Sequence, residues 1–148
     1  MTKIIDGKNA VLGRLASYVA KESLKGEEIV ILNCEQIIIT GNKKNIEREF
    51  EEKRSRFGHS QKGPKHHKTS EKIVKRAIRG MLPDHREGRG KVAFKKIKCY
   101  VGVPQEFQEK KKIVAGKEKT TKFSTVKEFT KPKNISTRFF SVSLKEEK

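Results

Sequence analysis

The chain has 148 residues, 36 Lys and Arg against 18 Asp and Glu, a formal charge of +18 and a pI near 10.0. Hydrophobic residues make up 33% and charged residues 36%, which implies one domain with a thin core and excludes a collagen-like fibre or a disulfide scaffold. Its apolar runs fall far short of the roughly 20 residues that span a bilayer, and Met1–Asp6 lacks the long apolar stretch of a secretory signal, so no membrane is expected. With only Cys34 and Cys99, a reducing cytoplasm is the simplest setting.

In chain order, Ile4-Ile5 reads as a short strand, Asp6-Gly7 as a turn and Asn9 as a cap for a helix over 11–25. Leu12, Leu15, Ala16 and Val19 give that helix one apolar face, with Arg14, Tyr18, Lys21 and Lys25 opposite. Gly26 closes it as a C-cap. Ile29–Leu32 is a continuous apolar run, as in a strand covered on both faces. Ile37–Ile39 follows too soon for a parallel crossover. The two runs therefore form either a tight hairpin or one strand kinked at 33–36. A charged helix is predicted over 43–56, with Ile46, Phe50 and Phe57 on one side and a Glu49–Lys53 pair at i,i+4.

Residues 58–69 contain no apolar side chain, so burial cannot order them; a partner must. The next predicted helix, capped by Thr69 or Ser70, has two faces. At 100° per residue Ile73, Val74, Ala77, Ile78 and Met81 share one half, while Lys72, Lys75, Arg76 and Arg79 share the other. Gly80 and Pro83 end it. A second basic helix is expected over 86–96 with Val92, Ala93 and Ile97 inward, then a strand at Cys99–Val101. Beyond residue 104, Lys110–Lys112 is a charge run, Gly116–Lys122 a loop, and Thr125–Phe129 a helical turn stopped by Pro132. Phe139-Phe140 is expected to dock on the body.

The charge is unevenly placed. Residues 1–52 carry a net −1, residues 53–100 a net +13 and residues 101–148 a net +6. A near-neutral scaffold therefore bears a strongly basic middle, and solubility alone does not call for such a density. A polyanion offsets the self-repulsion, nucleic acid first and an anionic membrane surface second.

The catalytic alternatives fail on chemistry. Gly7–Arg14 faintly resembles a phosphate loop, but it has five residues between its glycines and Arg14-Leu15 where Lys-Ser/Thr is needed. Gly13 reads instead as a place where helix and sheet approach closely. His59, His66, His67 and His85 lack the paired, repeated spacing of a zinc site, and Cys34 and Cys99 stand singly on expected buried strands. No metal or other cofactor is expected. The acidic residues sit in an exposed helix with no dry cleft to separate their pKa values, and no nucleophile–base order stands out. Neither an enzyme nor a small-molecule substrate is expected. Aromatics are sparse in the basic part, so phosphate and sugar contacts on a folded nucleic acid suit it better than base stacking on single strands.

Three stretches carry a family resemblance. They are Leu12-Gly13-Arg14-Leu15-Ala16-Ser17 with Val19-Ala20-Lys21, then Asn33-Cys34-Glu35 with Ile39-Thr40-Gly41-Asn42-Lys43, then Ile78-Arg79-Gly80-Met81-Leu82-Pro83 with Gly88-Arg89-Gly90 and Lys98-Cys99-Tyr100-Val101-Gly102-Val103-Pro104. Together they resemble the ribosomal protein L13 family of the large subunit. The Gly-Val-Pro ending suits its archaeal/eukaryotic form, and the compact length suits the archaeal type. The resemblance covers residues 4–104; the His66-His67 loop departs from the family pattern, and Thr125–Glu128 echoes the family's closing helix only loosely.

The resemblance implies an α/β fold, a three-layer α/β/α domain over residues 1–104 with a small, largely parallel sheet of about four strands. Residues 105–148 would form an irregular basic extension of it. It also implies a structural and assembly role on large-subunit rRNA, in the cytoplasm, beside neighbouring large-subunit ribosomal proteins and not as a homo-oligomer. Joined to the charge map, it marks the rRNA-facing part as about 43–98. The expected contacts there are Lys43, Lys44, Arg54, Arg56, His59, Lys62, Lys65, His66, His67, Lys68, Lys72, Lys75, Arg76, Arg79, Arg86, Arg89, Lys91, Lys95 and Lys96. The rival reading is a free translational regulator that binds messenger RNA outside the ribosome.

Overall fold

The computed structural model describes residues 2–55, 66–116 and 121–130. Its elements are β1 (Thr2–Asp6), α1 (Leu12–Leu24), β2 (Glu28–Leu32), β3 (Ile38–Thr40), α2 (Lys43–Ser55), α3 (Ser70–Met81), α4 (Gly88–Lys95), β4 (Ile97–Cys99), β5 (Ile113–Val114) and β6 (Phe123–Thr125). The fold is α/β. A wholly parallel four-stranded sheet runs β4-β2-β1-β5, with Ile4 opposite Val30, Ile29 opposite Ile97 and Ile5 opposite Ile113. Parallel neighbours need crossovers, and α1 supplies the first.

Strand alternation sends Ile5, Ile29, Ile31 and Ile97 to one face of this sheet, where they join Leu15, Ala16 and Val19 of α1, Ile73, Val74 and Ile78 of α3, and Ala93 of α4 in one buried cluster. Ile4, Val30 and Leu32 point to the other face. Among the described residues that face is covered by Phe107 of a 3₁₀ turn (Gln105–Phe107), with Tyr100 and Val103 packed alongside. The helices therefore lie on one side of the sheet and a thin cap lies on the other. Burial of both faces explains why β2 is apolar without alternation.

α1 is tied down at its C-terminal end. Lys25, Gly26 and Glu27 close a Schellman motif, with the Gly26 N–H donating to the Ser23 carbonyl at 3.1 Å and the Glu27 N–H to the Glu22 carbonyl at 3.4 Å. Gly26 takes φ +98°, the left-handed region that favours glycine. Glu22, 7% exposed, accepts from Lys25 Nζ at 2.7 Å and from Lys3 Nζ on β1. Those two bonds hold its carboxyl down to about 2, so it stays ionised in spite of its burial.

Several expectations change. The runs Ile29–Leu32 and Ile37–Ile39 form neither a hairpin nor one kinked strand. Asn33 adopts left-handed φ 53°, a 3₁₀ turn follows at Cys34–Gln36, and β3 leaves the main sheet to pair antiparallel with β6, Ile39 opposite Ser124. Tertiary pairing with a distant strand overrides the short spacing. Asn9 takes φ 58° and does not cap α1, whose N-cap residue is Val11. α4 stops at Lys95, because Ile97 is a fully buried β4 residue paired with Ile29; the strand expected at Cys99–Val101 thus starts two residues earlier. Val92 and Met81, expected inward, are 56% and 45% exposed: Met81 is the last residue of α3, and α4 turns Gly90 and Ala93 to the core, which leaves Val92 on its outer side. The thiols of Cys34 and Cys99 do not stand singly. They meet, and the side-chain hydrogen bond between them, with burial, pushes the Cys34 thiol up.

The segment after residue 104 returns to the body. β5 adds an edge strand to the main sheet, and Val126–Phe129 forms the expected turn as a 3₁₀ helix, with Thr125 and Glu128 making a capping box. Phe129 stacks on Phe50 of α2 at 5.4 Å with rings 8° from parallel, so this turn fastens a helix that buries no residue of its own. The Glu49–Lys53 pair is present at 3.2 Å. Phe57 and Phe139-Phe140 lie outside the described residues.

Gly13 does not approach the sheet: a Cβ there meets nothing within 4 Å. Gly7 does, where a Cβ would come 2.8 Å from the Leu32 carbonyl oxygen and 2.9 Å from Ile37 Cγ1. Gly13→Ala is expected to stabilise the protein by about 0.5–1 kcal/mol through helix propensity. Gly7→Ala is expected to cost more than about 1 kcal/mol. Urea midpoints of the two variants check the contrast, and a destabilised Gly13→Ala would contradict the placement.

Candidate nucleic-acid interface

α3 positions the basic site. Its apolar stripe, Ile73, Val74 and Ile78, is 0–7% exposed against α1 and the sheet, so Lys72, Lys75, Arg76 and Arg79 are turned outward. Lys72 is exposed; the other three are half-buried. Lys75 Nζ sits 5.0 Å from the centre of the Phe94 ring of α4, and His85 meets the same ring edge-on at 6.3 Å. One end of the cationic row is thereby joined to the second basic helix, whose Arg89, Lys91 and Lys95 are exposed, as is Arg86 just before it.

At the other side of α3, three separate segments converge. His66 is half-buried and its Nε2 lies 3.5 Å from Arg76 Nη2. Burial, then the charges of Arg76, Lys53 and Arg54, hold the His66 imidazole below its ordinary value. Burial, then Lys72, Arg76 and Arg79, does the same to His67. α2, the 66–67 segment and α3 thus bring five cations and two imidazoles within electrostatic reach of one another. Between them opens a cavity of about 320 Å³, with Leu12, Phe50, Ile73 and Ala77 forming its apolar wall. Lys53, His66, His67 and Arg76 form its basic rim.

Other expected contacts serve the fold itself. Lys43 is ion-paired with Glu128 at 2.7 Å, which raises the ammonium and lowers the carboxyl. Arg54 donates from Nη2 to the Phe129 carbonyl at 2.5 Å and lies 5.5 Å over the Phe50 ring. Lys96 donates to the Gly26 carbonyl at 2.8 Å, across the end of α1. Lys44 and Lys68 are exposed. Arg56, His59, Lys62 and Lys65 lie outside the described residues. Lys53, which sequence reasoning assigned only to a pair with Glu49, joins the basic rim; its place three residues after Phe50, on the same side of α2, is the signal the sequence carries.

The Gly7–Arg14 loop is not a phosphate cradle. Its amides are spent internally: Gly7 N–H donates to the Leu32 carbonyl, Lys8 N–H to Asp6 Oδ1, Asn9 N–H to the Gln36 carbonyl and Ala10 N–H to the Gly7 carbonyl. No helix among the described residues is long and apolar enough to cross a membrane.

A small α/β scaffold with a one-sided helix layer that carries its cations outward is a structural presenter of charge. The chain belongs to the ribosomal protein L13 family, whose model matches residues 1–106. Membership makes it a constituent of the ribosome in the cytoplasm, and not an enzyme. It is 44% identical over 131 residues to the large ribosomal subunit protein uL13 of Methanocaldococcus jannaschii, covering 86% of this chain and 94% of that one. It is 50% identical to its namesake in Methanococcus maripaludis over 69% of this chain and 76% of the relative. The namesake in Methanopyrus kandleri is 47% identical over 72% and 65%. These relatives are archaeal, in keeping with the archaeal-type reading.

Because both imidazoles are held below their ordinary value near 6.5, the folded protein binds fewer protons than the unfolded chain in the window just below it. Stability should therefore rise with pH through that window and fall as pH drops below about 6.5. Glu22 and Glu128, held low instead, lose their contribution only at more acidic pH. Urea unfolding at closely spaced pH values, compared between the parent chain and His66→Asn/His67→Asn, checks this: the double variant should flatten the curve just below about pH 6.5.

Proposed function

We propose that this protein is a structural constituent of the large ribosomal subunit that binds rRNA through the outer face of α3 and helps the rRNA fold and assemble. The observation that carries the reading is the two-faced α3. Its apolar stripe is buried while Lys72, Lys75, Arg76 and Arg79 face outward beside the basic residues of α4 and the 66–67 segment. The name of the relatives, large ribosomal subunit protein, supplies the particle. The interface takes in Lys44, Lys68, Arg86, Arg89, Lys91 and Lys95 at the surface. Residues 1–104 and 105–148 act as one domain, the later segment extending it with Phe107, β5 and β6. Neighbouring large-subunit proteins are the remaining partners, and the chain works as a single copy.

Arg and Lys on a helix face make phosphate and sugar contacts that recognise the shape of a folded RNA and fix register without reading sequence. Neutralising roughly eight phosphates would make affinity fall by about 10³–10⁵ between 50 and 200 mM salt.

Arg76→Glu with Arg79→Glu should abolish binding to large-subunit rRNA while circular dichroism and the urea midpoint stay close to those of the parent chain. Filter binding across a salt series measures both the loss and the slope. Unchanged binding would defeat the α3 reading. Sedimentation of a cell extract tests the particle: the protein should travel with the large subunit at moderate salt, and its absence from that peak would favour the free messenger-RNA regulator.

A further inference from the structure

The cavity between α1, α2, α3 and the 66–67 segment is not explained by a phosphate-binding face, which needs cations but no hollow. Its volume of about 320 Å³ falls at the small end of the range of about 300–1,000 Å³ for ligand sites. Its composition is divided. Leu12, Phe50 and Ala77 present an apolar wall, and Phe50 is held in place by its stack on Phe129. Lys53, His66 and Arg76 stand on the rim, from three different segments of the chain. A phosphate alone would leave the apolar wall wet, and an apolar side chain alone would leave the rim without a counter-charge. The group that satisfies both parts is a planar base carrying its own phosphate.

We infer that this cavity receives one unpaired nucleotide turned out of a folded RNA, its base against Leu12, Phe50 and Ala77 and its phosphate on Lys53, His66 and Arg76. The inference rests on the RNA-binding reading above and deepens it, from recognition of shape to recognition of an unstacked position. Bulged and looped bases are where proteins read RNA with specificity, because their faces and edges are free. The site also gives a use to the imidazole. His66 lies beside Arg76 on the rim, so it can donate to a phosphate oxygen once an anion offsets the neighbouring cations.

The test uses the full chain and two RNA hairpins that differ by a single bulged adenosine in an otherwise paired stem. The bulged hairpin is expected to bind about tenfold more tightly, the scale of one base gaining an apolar contact. Ala77→Leu, which fills the cavity with an apolar side chain, should reduce that ratio to about twofold or less. A second measurement does not depend on that variant folding. Adenosine monophosphate added to the parent chain should shift the NMR resonances of Leu12 and Ala77, whereas inorganic phosphate should leave them in place. Equal affinity for both hairpins, or no response of Leu12 and Ala77 to the nucleotide, would overturn the cavity inference and leave the RNA-binding reading standing. Failure to bind either hairpin or rRNA would overturn the RNA-binding reading instead.

Discussion

Everything the protein presents outward depends on the burial of one stripe of α3. Ile73, Val74 and Ile78 are each worth about 1.5–3 kcal/mol when taken from water into the cluster with α1 and the sheet. Two exposed unit charges 4 Å apart repel by about 1 kcal/mol in water. Burial therefore wins over the crowding of Lys72, Lys75, Arg76 and Arg79, and the helix must hold its cations on the open side. The same stripe brings α3 against α1, and the chain before and after it delivers the 66–67 segment and Phe94 to its two flanks. Moving α3 would dissolve the basic rim, the cavity and the link to α4 together.

The parts legible in the sequence were those set by local periodicity. The two faces of α3, the apolar side of α1, the buried β2 and the Glu49–Lys53 pair all follow from residues less than one element apart. The parts that were not legible depend on residues distant in the chain. β3 looks like the partner of β2, yet its partner β6 comes some 80 residues later. A two-residue edge strand such as Ile113-Val114 has no periodicity to read. Gly13 and Gly7 are equally plausible places for a close approach until Leu32 and Ile37 are seen around Gly7.

A basic residue in the sequence is also a different object from a basic residue on the surface. Lys43, Arg54 and Lys96 each spend their charge on the fold: on the Glu128 carboxylate, the Phe129 carbonyl and the Gly26 carbonyl. Two of these three fasten α2 to the Val126–Phe129 turn, joining the basic middle of the chain to its last third. α2 buries no residue of its own, so this turn and the Phe50–Phe129 stack are what bring Lys53 to the rim. A helix too polar to pack by itself is positioned by a segment whose role the charge pattern could not reveal.

The sheet itself is asymmetric. A parallel sheet needs both faces covered, and here the covers differ in kind. On the helix side, the cover is thick enough to carry an apolar face inward and a cationic face outward. On the other side Ile4, Val30 and Leu32 are closed by Phe107 with Tyr100 and Val103, a thinner cap over which Lys110 Nζ lies 5.1 Å from the Phe107 ring. The strand register follows suit: Ile97 of β4 faces the helices, while Lys98 next to it is exposed. The helix side is where α3 gathers its cations without their entering the core. That side is the one where the three segments meet around the cavity.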